Sequence, residues 1–191
     1  MSNTKFSSKK NKPWIVFFSQ TGTEIVDLVE KIGRLPDRII TNERPSHLRE
    51  INKQIFSWAN IEQVVRYTPN KPTVEDYERL LYKFDNPIIT LHGWLRVIPP
   101  ELCKKYTILN GHPGLITEYP ELKGKDPQIR AYKGKFKQAG CVIHRVTAGV
   151  DEGEVVLTEK FNIEKLEIDD LFTRFRDTSL NMWVKFLKKV L

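Results

Sequence analysis

Cysteine is scarce in this sequence: only Cys103 and Cys141 occur among 191 residues, and they lie too far apart to form a CxxC pair. Two cysteines cannot build a cysteine-based zinc site, and the N-terminal residues do not resemble a secretory signal. We therefore expect both thiols to be ordinary packed side chains of a protein in a reducing, cytoplasmic setting.

Long hydrophobic runs are also absent. No apolar stretch approaches the roughly 18 residues that a membrane span needs. Hydrophobic residues make up 40% and charged residues 29% of the chain, which is typical of a globular protein. The length suits one domain with a sizeable core. The sequence thus predicts a soluble protein without a membrane partner.

Negative charge is in the minority, since 31 Lys and Arg against 24 Asp and Glu give a net charge of +7. Four of the lysines (Lys5, Lys9, Lys10 and Lys12) lie in residues 1–13, which show no hydrophobic periodicity. We expect residues 1–13 to be a flexible basic segment and residues 14–191 to be the folded domain. The other cations are dispersed, which favours a small anionic ligand over nucleic acid.

Strand and helix patterns alternate through the first part of the chain. An apolar strand at residues 14–18, a helix ending at Gly33 and a strand at residues 38–41 predict a β-α-β unit with a right-handed crossover. Either Gly22 or Thr23 is placed to cap that helix. The pattern continues with helices at residues 46–58 and 74–84, strands at 62–67, 87–91 and 107–110, and a helical turn opened by Pro99 and Pro100. The order is typical of a Rossmann-like, doubly wound α/β fold.

The second part of the chain changes character. Residues 118–137 predict a loop with a short helix near residues 128–132, and residues 141–146 and 154–161 predict an antiparallel strand pair. Residues 171–191 have the periodicity of a long amphipathic helix. We expect a mostly parallel sheet with a C-terminal antiparallel addition and a long C-terminal helix.

The turn after the first strand is a candidate anion site. Such a turn exposes free N–H groups at the positive end of a helix dipole, and a glycine lets an anion approach the backbone. It matches neither GxGxxG nor GxxxxGK[ST], so a plain capped turn is the alternative. The candidate phosphate-binding residues are Ser19, Gln20, Thr21, Gly22 and Thr23.

Asn110 and His112 follow another predicted strand and are a candidate catalytic pair. An amide can stabilise an oxyanion and an imidazole can exchange a proton. The alternative for His112 is a packed histidine without a chemical role. Asp151 lies in a glycine-bounded loop after the strand that carries His144, and a plain hairpin turn is the alternative there. Because no HxH or HExxH spacing supports a metal site at His112, His144 and Asp151, we expect none.

As an ordered set, these segments resemble the superfamily of formyltransferases that use 10-formyltetrahydrofolate, which includes phosphoribosylglycinamide, methionyl-tRNA and sugar N-formyltransferases. The family pattern is Asn-x-His-Pro-Ser, a loop, then Gly-x-Thr-x-His and Val-Asp-x-Gly. The matching segments are Asn110-Gly111-His112-Pro113-Gly114, Gly140-Cys141-Val142-Ile143-His144 and Val150-Asp151-Glu152-Gly153. Residues 122–127 are similar to the Arg-Gly-x-x-Pro of the tRNA and sugar branches. The resemblance runs from about Trp14 to the C-terminus.

The resemblance implies a folate-dependent enzyme in which Asn110, His112 and Asp151 are the catalytic residues. An amine would attack the formyl carbon, Asn110 and protonated His112 would stabilise the oxyanion, and Asp151 would assist proton transfer. His144 would lie close behind them or be an ordinary buried strand residue. The co-substrate 10-formyltetrahydrofolate would be held without a metal at residues Leu91, Arg96, Val97, Ile98, Ala148, Gly149 and Val150.

Several departures bear on the acceptor. Gly114 replaces the usual Ser, residues 19–23 lack the first glycine of the ribonucleotide enzyme's phosphate turn, and Ser179 stands where that enzyme has a ribose-binding Glu. The additional C-terminal domain of a methionyl-tRNA enzyme is not expected. We therefore expect N-formylation of a small, phosphorylated primary amine: a nucleotide, nucleotide-sugar or ribonucleotide.

Three alternatives stay open. The first is phosphoribosylglycinamide formylation in purine biosynthesis. The second is a folate- or nucleotide-binding module without catalysis, which would bind without formyl transfer. The third is nucleic-acid binding through residues 1–13, which would weaken steeply with salt.

Overall fold

The computed structural model describes residues 12–42, 51–58 and 65–191. Seven strands form one sheet in the order β3-β2-β1-β4-β5-β6-β7. The pairs among β1 to β5 are parallel, whereas β5–β6 and β6–β7 are antiparallel. The predicted fold class is confirmed. The strands are β1 Trp14–Phe18, β2 Arg38–Thr41, β3 Val65–Tyr67, β4 Ile88–His92, β5 Thr107–His112, β6 Gln138–Arg145 and β7 Val155–Asn162.

Six α-helices connect or cover these strands in the described part of the chain. They are α1 Thr23–Ile32, α2 Lys53–Ser57, α3 Val74–Leu81, α4 Pro100–Lys105, α5 Pro127–Lys133 and α6 Ile168–Val190. Gly22 caps α1 with φ 69° and Gly33 ends it with φ 72°, a left-handed backbone that glycine adopts without a Cβ clash. Residues 46–50 of the predicted second helix and 62–64 of the predicted third strand lie outside the described residues.

Several element boundaries differ from the prediction by a few residues. The strand predicted to stop at Asn110 continues to His112, because Gly111 and His112 pair with Ile143 and Val142 of β6. A sequence pattern does not show that a neighbouring strand extends the ladder. The helix predicted over residues 74–84 ends at Leu81, and Tyr82 is its C-cap.

The core lies on both faces of the sheet. All five residues of β1 are at most 1% exposed, as expected for a parallel strand covered on both sides. Trp14, Val16 and Phe18 face the cluster that includes α1 and α6, while Ile15 and Phe17 face the cluster that includes α3 and α4. Cys141 is buried and Cys103 is half-buried.

The C-terminal helix packs on the face of the sheet that also carries α1. Its buried residues include Leu171, Phe175, Leu180, Trp183 and Leu187, which form the apolar side of the predicted amphipathic helix. Among the described residues, none of the helices combines the length and the apolar character needed to cross a bilayer.

Candidate active site

The predicted catalytic residues meet at the carboxyl end of β5. Asn110 pairs with Leu91 of β4 on one side and with His144 of β6 on the other, so these three side chains share one face of the sheet. The loop between β6 and β7 returns over this edge and brings Asp151 to the same place. The carboxyl edge of a doubly wound sheet is where such folds bind ligands.

Asp151 joins the two histidines. Its Oδ2 lies 3.2 Å from His112 Nδ1, and its Oδ1 lies 3.3 Å from His144 Nε2. The backbone N–H of Gly124 also donates to Oδ2, at 2.9 Å. Burial alone would raise the pKa of Asp151, but the contacts with His144, Gly124 and His112 bring it below its usual value. Asp151 is therefore ionised at neutral pH.

His112 is buried beneath the site. Its Nε2–H donates to the carbonyl of Leu122 at 2.8 Å, so Nδ1 is the nitrogen that faces Asp151. Burial lowers the pKa of His112, and the nearby Asp151 carboxylate only partly offsets this. The lowered pKa disfavours the protonated ring before a substrate binds.

His144 lies behind Asn110. Its Nδ1–H donates to the carbonyl of Arg145 at 2.9 Å, which leaves Nε2 facing Asn110 Nδ2 at 3.2 Å and Asp151. The side chain is almost fully buried. It is thus a buried strand residue that also contacts two of the three predicted catalytic side chains.

A cavity of about 380 Å³ opens beside these residues. Asn110, His144 and Asp151 line it, whereas His112 lies below Asp151 and outside the lining. All seven predicted folate-binding residues also line the cavity: Leu91, Arg96, Val97, Ile98, Ala148, Gly149 and Val150. The structure therefore brings two segments distant in sequence, residues 91–98 and 148–151, to one cavity.

The Arg96 side chain is engaged away from this cavity. Its Nε donates to the carbonyl of Asn70 at 2.5 Å and its NH1 to the carbonyl of Leu95 at 2.9 Å. Backbone groups of residues 96–98 are thus left to face a ligand. Lys125, which the sequence did not single out, also lines the cavity and supplies a cation at its rim.

A larger cavity of about 650 Å³ lies between α5 and the segment after β7. Its lining in the described part of the chain holds Lys133, Lys135, Lys137 and Lys165 but none of the predicted site residues. Size alone therefore does not identify the chemical site, and the convergence of polar side chains does. Among the described residues, no group of three or more His, Cys, Asp or Glu is arranged to hold a metal ion.

The predicted phosphate turn lies apart from the cavity beside Asn110. Gln20, Thr21, Gly22 and Thr23 line a cavity of about 130 Å³ together with Glu24, His92 and Gly93. Ser19 is buried, and its hydroxyl accepts from the Leu95 N–H at 3.0 Å. Four of the five predicted residues are therefore brought together, and Ser19 instead ties the turn to the segment after β4.

Sequence analysis noted Ser179 but missed Glu24 and His92, which also lie at this turn. The Glu24 carboxylate lies 2.7 Å from His92 Nδ1 and accepts from the Ser179 hydroxyl at 2.7 Å. A histidine directly after a buried strand is a signal that could have drawn attention to His92. Nothing local pairs it with Glu24, 68 positions away, or Glu24 with Ser179, 155 positions away, because these elements meet only in the folded chain.

The sequence model of the formyl transferase family matches residues 15–187. The methionyl-tRNA formyltransferase of Orientia tsutsugamushi is 26% identical over 152 residues, which are 78% of this chain and 47% of that protein. The phosphoribosylglycinamide formyltransferase of Dictyostelium discoideum is 31% identical over 110 residues, 53% of each chain. The chain thus spans about half the length of these relatives.

Solved structures share the fold. The phosphoribosylglycinamide formyltransferase of Anaplasma phagocytophilum superposes with a TM-score of 0.77 at 20% identity, over 94% of this chain and 86% of that one. A formyltetrahydrofolate deformylase of Pseudomonas syringae pv. tomato gives 0.74 at 18% identity, over 94% and 61%. Because the family's sequence model covers nearly all of the described domain, this chain belongs to the formyl transferase family.

Proposed function

We propose that this protein is a folate-dependent N-formyltransferase, which moves a formyl group from 10-formyltetrahydrofolate to the primary amine of a small acceptor. The observation that carries the proposal is the convergence of Asn110, His112 and Asp151 beside the cavity lined by residues 91–98 and 148–151. Membership of the formyl transferase family supports it.

The cavity beside Asn110 suits the flat ring system of a folate. Leu91, Ile98 and Val150 offer apolar contacts, while the backbone around Val97 offers hydrogen-bonding groups for the ring edges. Lys125 gives the rim a positive charge that matches the anionic folate tail. No metal is part of the proposed chemistry.

The reaction balances with these side chains alone. The amine nitrogen attacks the formyl carbon, a C–N bond forms, and the carbonyl oxygen becomes an oxyanion. Asn110 donates to that oxygen, whose negative charge raises the pKa of His112 and favours its protonated form. Asp151 accepts the proton that the amine loses. The oxyanion then reforms the carbonyl as the bond to N10 breaks, N10 takes up the proton that Asp151 had accepted, and tetrahydrofolate leaves.

The acceptor is proposed to be a small, phosphorylated primary amine, such as a nucleotide, nucleotide-sugar or ribonucleotide, as the sequence indicates. Phosphoribosylglycinamide is the specific alternative, which the name of the D. discoideum relative favours. Direct assay of formyl transfer to that compound separates it from other amines. A protein that binds folate but transfers no formyl group to any tested amine would be a binding module instead.

Titration calorimetry with a tetrahydrofolate analogue tests the folate site. We expect binding to the wild-type protein and at least about tenfold weaker binding to Val97→Asp, because a bound folate would cover the new carboxylate and remove its charge from water. Val97 is 78% exposed, and Phe172→Asp on α6 is the matched control at an exposed apolar position away from the cavity. A folded wild-type protein that does not bind the analogue would disprove the proposal.

The role of His112 is tested by His112→Ala. Turnover of 10-formyltetrahydrofolate with an accepted amine should be lost, because neither oxyanion stabilisation nor proton exchange survives. Affinity for the folate analogue should stay nearly unchanged, since His112 lies outside the cavity lining. Unchanged turnover would remove His112 from the reaction.

A further inference from the structure

A second polar cluster lies on the face of the sheet opposite Asn110. Glu24, in the first turn of α1, is held by His92 Nδ1 and by the Ser179 hydroxyl, each at 2.7 Å. The His92 ring packs on Trp183 with 4.9 Å between ring centroids. The cluster thus joins α1, the end of β4 and α6, and it fixes the Glu24 carboxylate in one position.

The hydrogen bonds around His92 orient its ring so that Nδ1 faces Glu24. Trp14 Nε1–H donates to the Thr90 hydroxyl oxygen at 2.9 Å, and that hydroxyl lies 3.0 Å from His92 Nε2. Thr90 can then donate its hydrogen to Nε2, which leaves Nδ1–H to donate to Glu24. Burial alone would raise the pKa of Glu24, but its contacts with His92 and Ser179 bring that pKa below its usual value, so the carboxylate is ionised at neutral pH.

Glu24 faces the cavity formed by the turn. Its side chain is 32% exposed, and it lines the cavity of about 130 Å³ beside Gln20, Thr21 and Thr23. The nearby cation Arg176 is held at 2.8 Å by Asp27. A dianion entering this cavity would therefore meet a fixed carboxylate with no unpaired cation among the described neighbours to offset it.

The donors that a phosphate would need are also partly engaged. The Thr21 hydroxyl oxygen accepts from the Thr23 N–H at 3.3 Å and lies 3.1 Å from the Thr23 hydroxyl. The Glu24 carboxylate itself supplies negative charge at the N-terminal end of the α1 dipole. Contacts within the chain therefore already engage the Thr23 donors and offset the helix dipole, which would otherwise attract an anion.

We propose that Glu24 is a specificity-determining residue that excludes a phosphate dianion from the turn, so that the acceptor presents an uncharged or cationic group there. The inference rests on the proposed formyl transfer for its place in the reaction. His92 pairs with Phe18 while the preceding Leu91 pairs with Asn110. β4 is therefore the one strand between β1, which precedes the turn, and β5, which carries Asn110 and His112. An acceptor that crosses the edge of the sheet can reach both places. A phosphate at residues 19–23 and exclusion by Glu24 make opposite predictions for the wild-type protein.

Calorimetric titration with inorganic phosphate at about pH 8, where the dianion predominates, distinguishes phosphate binding at residues 19–23 from exclusion by Glu24. Glu24→Gln keeps the shape of the side chain and can still accept from His92 while donating to Ser179. We expect Glu24→Gln to bind phosphate at least about tenfold more tightly than the wild-type protein, with amide shifts at Gly22 and Thr23 by NMR. This gain follows because the charge that repels the dianion is gone.

Two matched variants isolate the charge at the turn. Glu30→Gln makes the same change on α1 at an exposed site bonded to Gln54, and it should bind phosphate like the wild-type protein. Ser179→Ala removes one hydrogen bond but keeps the carboxylate, so it should not gain affinity. The proposal is overturned if Glu24→Gln binds phosphate no more tightly than the wild-type protein does, whether both proteins bind it or neither does. Failure of the wild-type protein to bind the folate analogue would instead count against the proposed function and leave the phosphate result standing.

Discussion

At the scale of single residues, Asp151 is held in a backbone conformation that few side chains adopt. Its φ is 53°, in the left-handed region that costs a non-glycine residue roughly 1–2 kcal/mol. The contacts of its carboxylate with His112, His144 and the Gly124 N–H hold it there. Asn110, by contrast, stands on a regular strand. The predicted catalytic residues thus combine two fixed by sheet register with one fixed by loop contacts.

The buried His112 leads to a prediction for stability against pH. Its pKa in the folded protein lies below the ordinary value of 6.5, so between those two values the unfolded chain binds more protons. The free energy of unfolding should therefore fall as the pH drops through this window. Urea unfolding from about pH 7 to about pH 5 should show a shallower loss in His112→Gln than in the wild-type protein.

Asp151 does not interfere with that measurement. Its pKa is lowered from 3.8, so its stabilisation is present above this value and is lost only as the pH falls through the lower folded value. Parallel curves for wild-type and His112→Gln between about pH 7 and pH 5 would contradict the assignment of a lowered pKa to His112.

At the scale of elements, β5 and α6 meet at Gly111. A Cβ on Gly111 would lie 2.7 Å from Trp183 Nε1, and Trp183 is fully buried. Gly111→Ala should therefore push α6 from the sheet and lower the free energy of unfolding by about 1–3 kcal/mol, as overpacking does. Urea denaturation measures the loss. A stability within about 0.5 kcal/mol of wild type would show that α6 yields without strain.

The same contact predicts coupling between the two positions. Trp183 Nε1 has no hydrogen-bond partner among the described residues, so Trp183→Phe loses no such bond while removing the nearest atom. In a double-mutant cycle, Gly111→Ala should cost less in the Trp183→Phe background than alone, by about 0.5 kcal/mol or more. Additive effects of the two substitutions would show that the strain caused by Gly111→Ala does not arise from contact with Trp183.

At the scale of the whole molecule, the charge is unevenly distributed along the chain. Residues 1–11 carry three lysines and no acidic residue, so the rest of the chain has a net charge of 7 − 3 = +4. Lys12 and Pro13 are bonded to the body, because their carbonyls accept from Arg34 and Ile88. The contacts of the candidate active site all involve residues after this point.

Removal of residues 1–11 tests the proposal that the N-terminal segment is separate from the folded domain. The truncated protein should keep its free energy of unfolding within about 0.5 kcal/mol and bind the folate analogue as the full chain does. Filter binding to a single-stranded oligonucleotide at several salt concentrations supplies the contrast. Salt-sensitive binding that disappears on truncation would favour a nucleic-acid role for the segment.

Much of the fold could be predicted because its determinants are local. These local signals include the apolar run at residues 14–18, the glycines at both ends of α1 and the periodicity of α6. Each can be recognised in a continuous stretch of sequence. The extension of β5 to His112 could not be predicted, since it depends on pairing with residues of β6 that are 30 and 32 positions away. The engagement of Ser19 by Leu95 escaped prediction for the same reason.

By itself, the sequence determined the family pattern, the α/β order and the identity of the residues able to do acid–base chemistry. Only the tertiary structure decided what surrounds them, because side-chain environment depends on contacts between distant segments. It brought Asp151 between two histidines, whose contacts help to lower the pKa of that carboxyl, and it buried His112, which lowers the pKa of that imidazole. It also brought His92 and Ser179 to Glu24, which turned a predicted phosphate turn into one with a fixed negative charge.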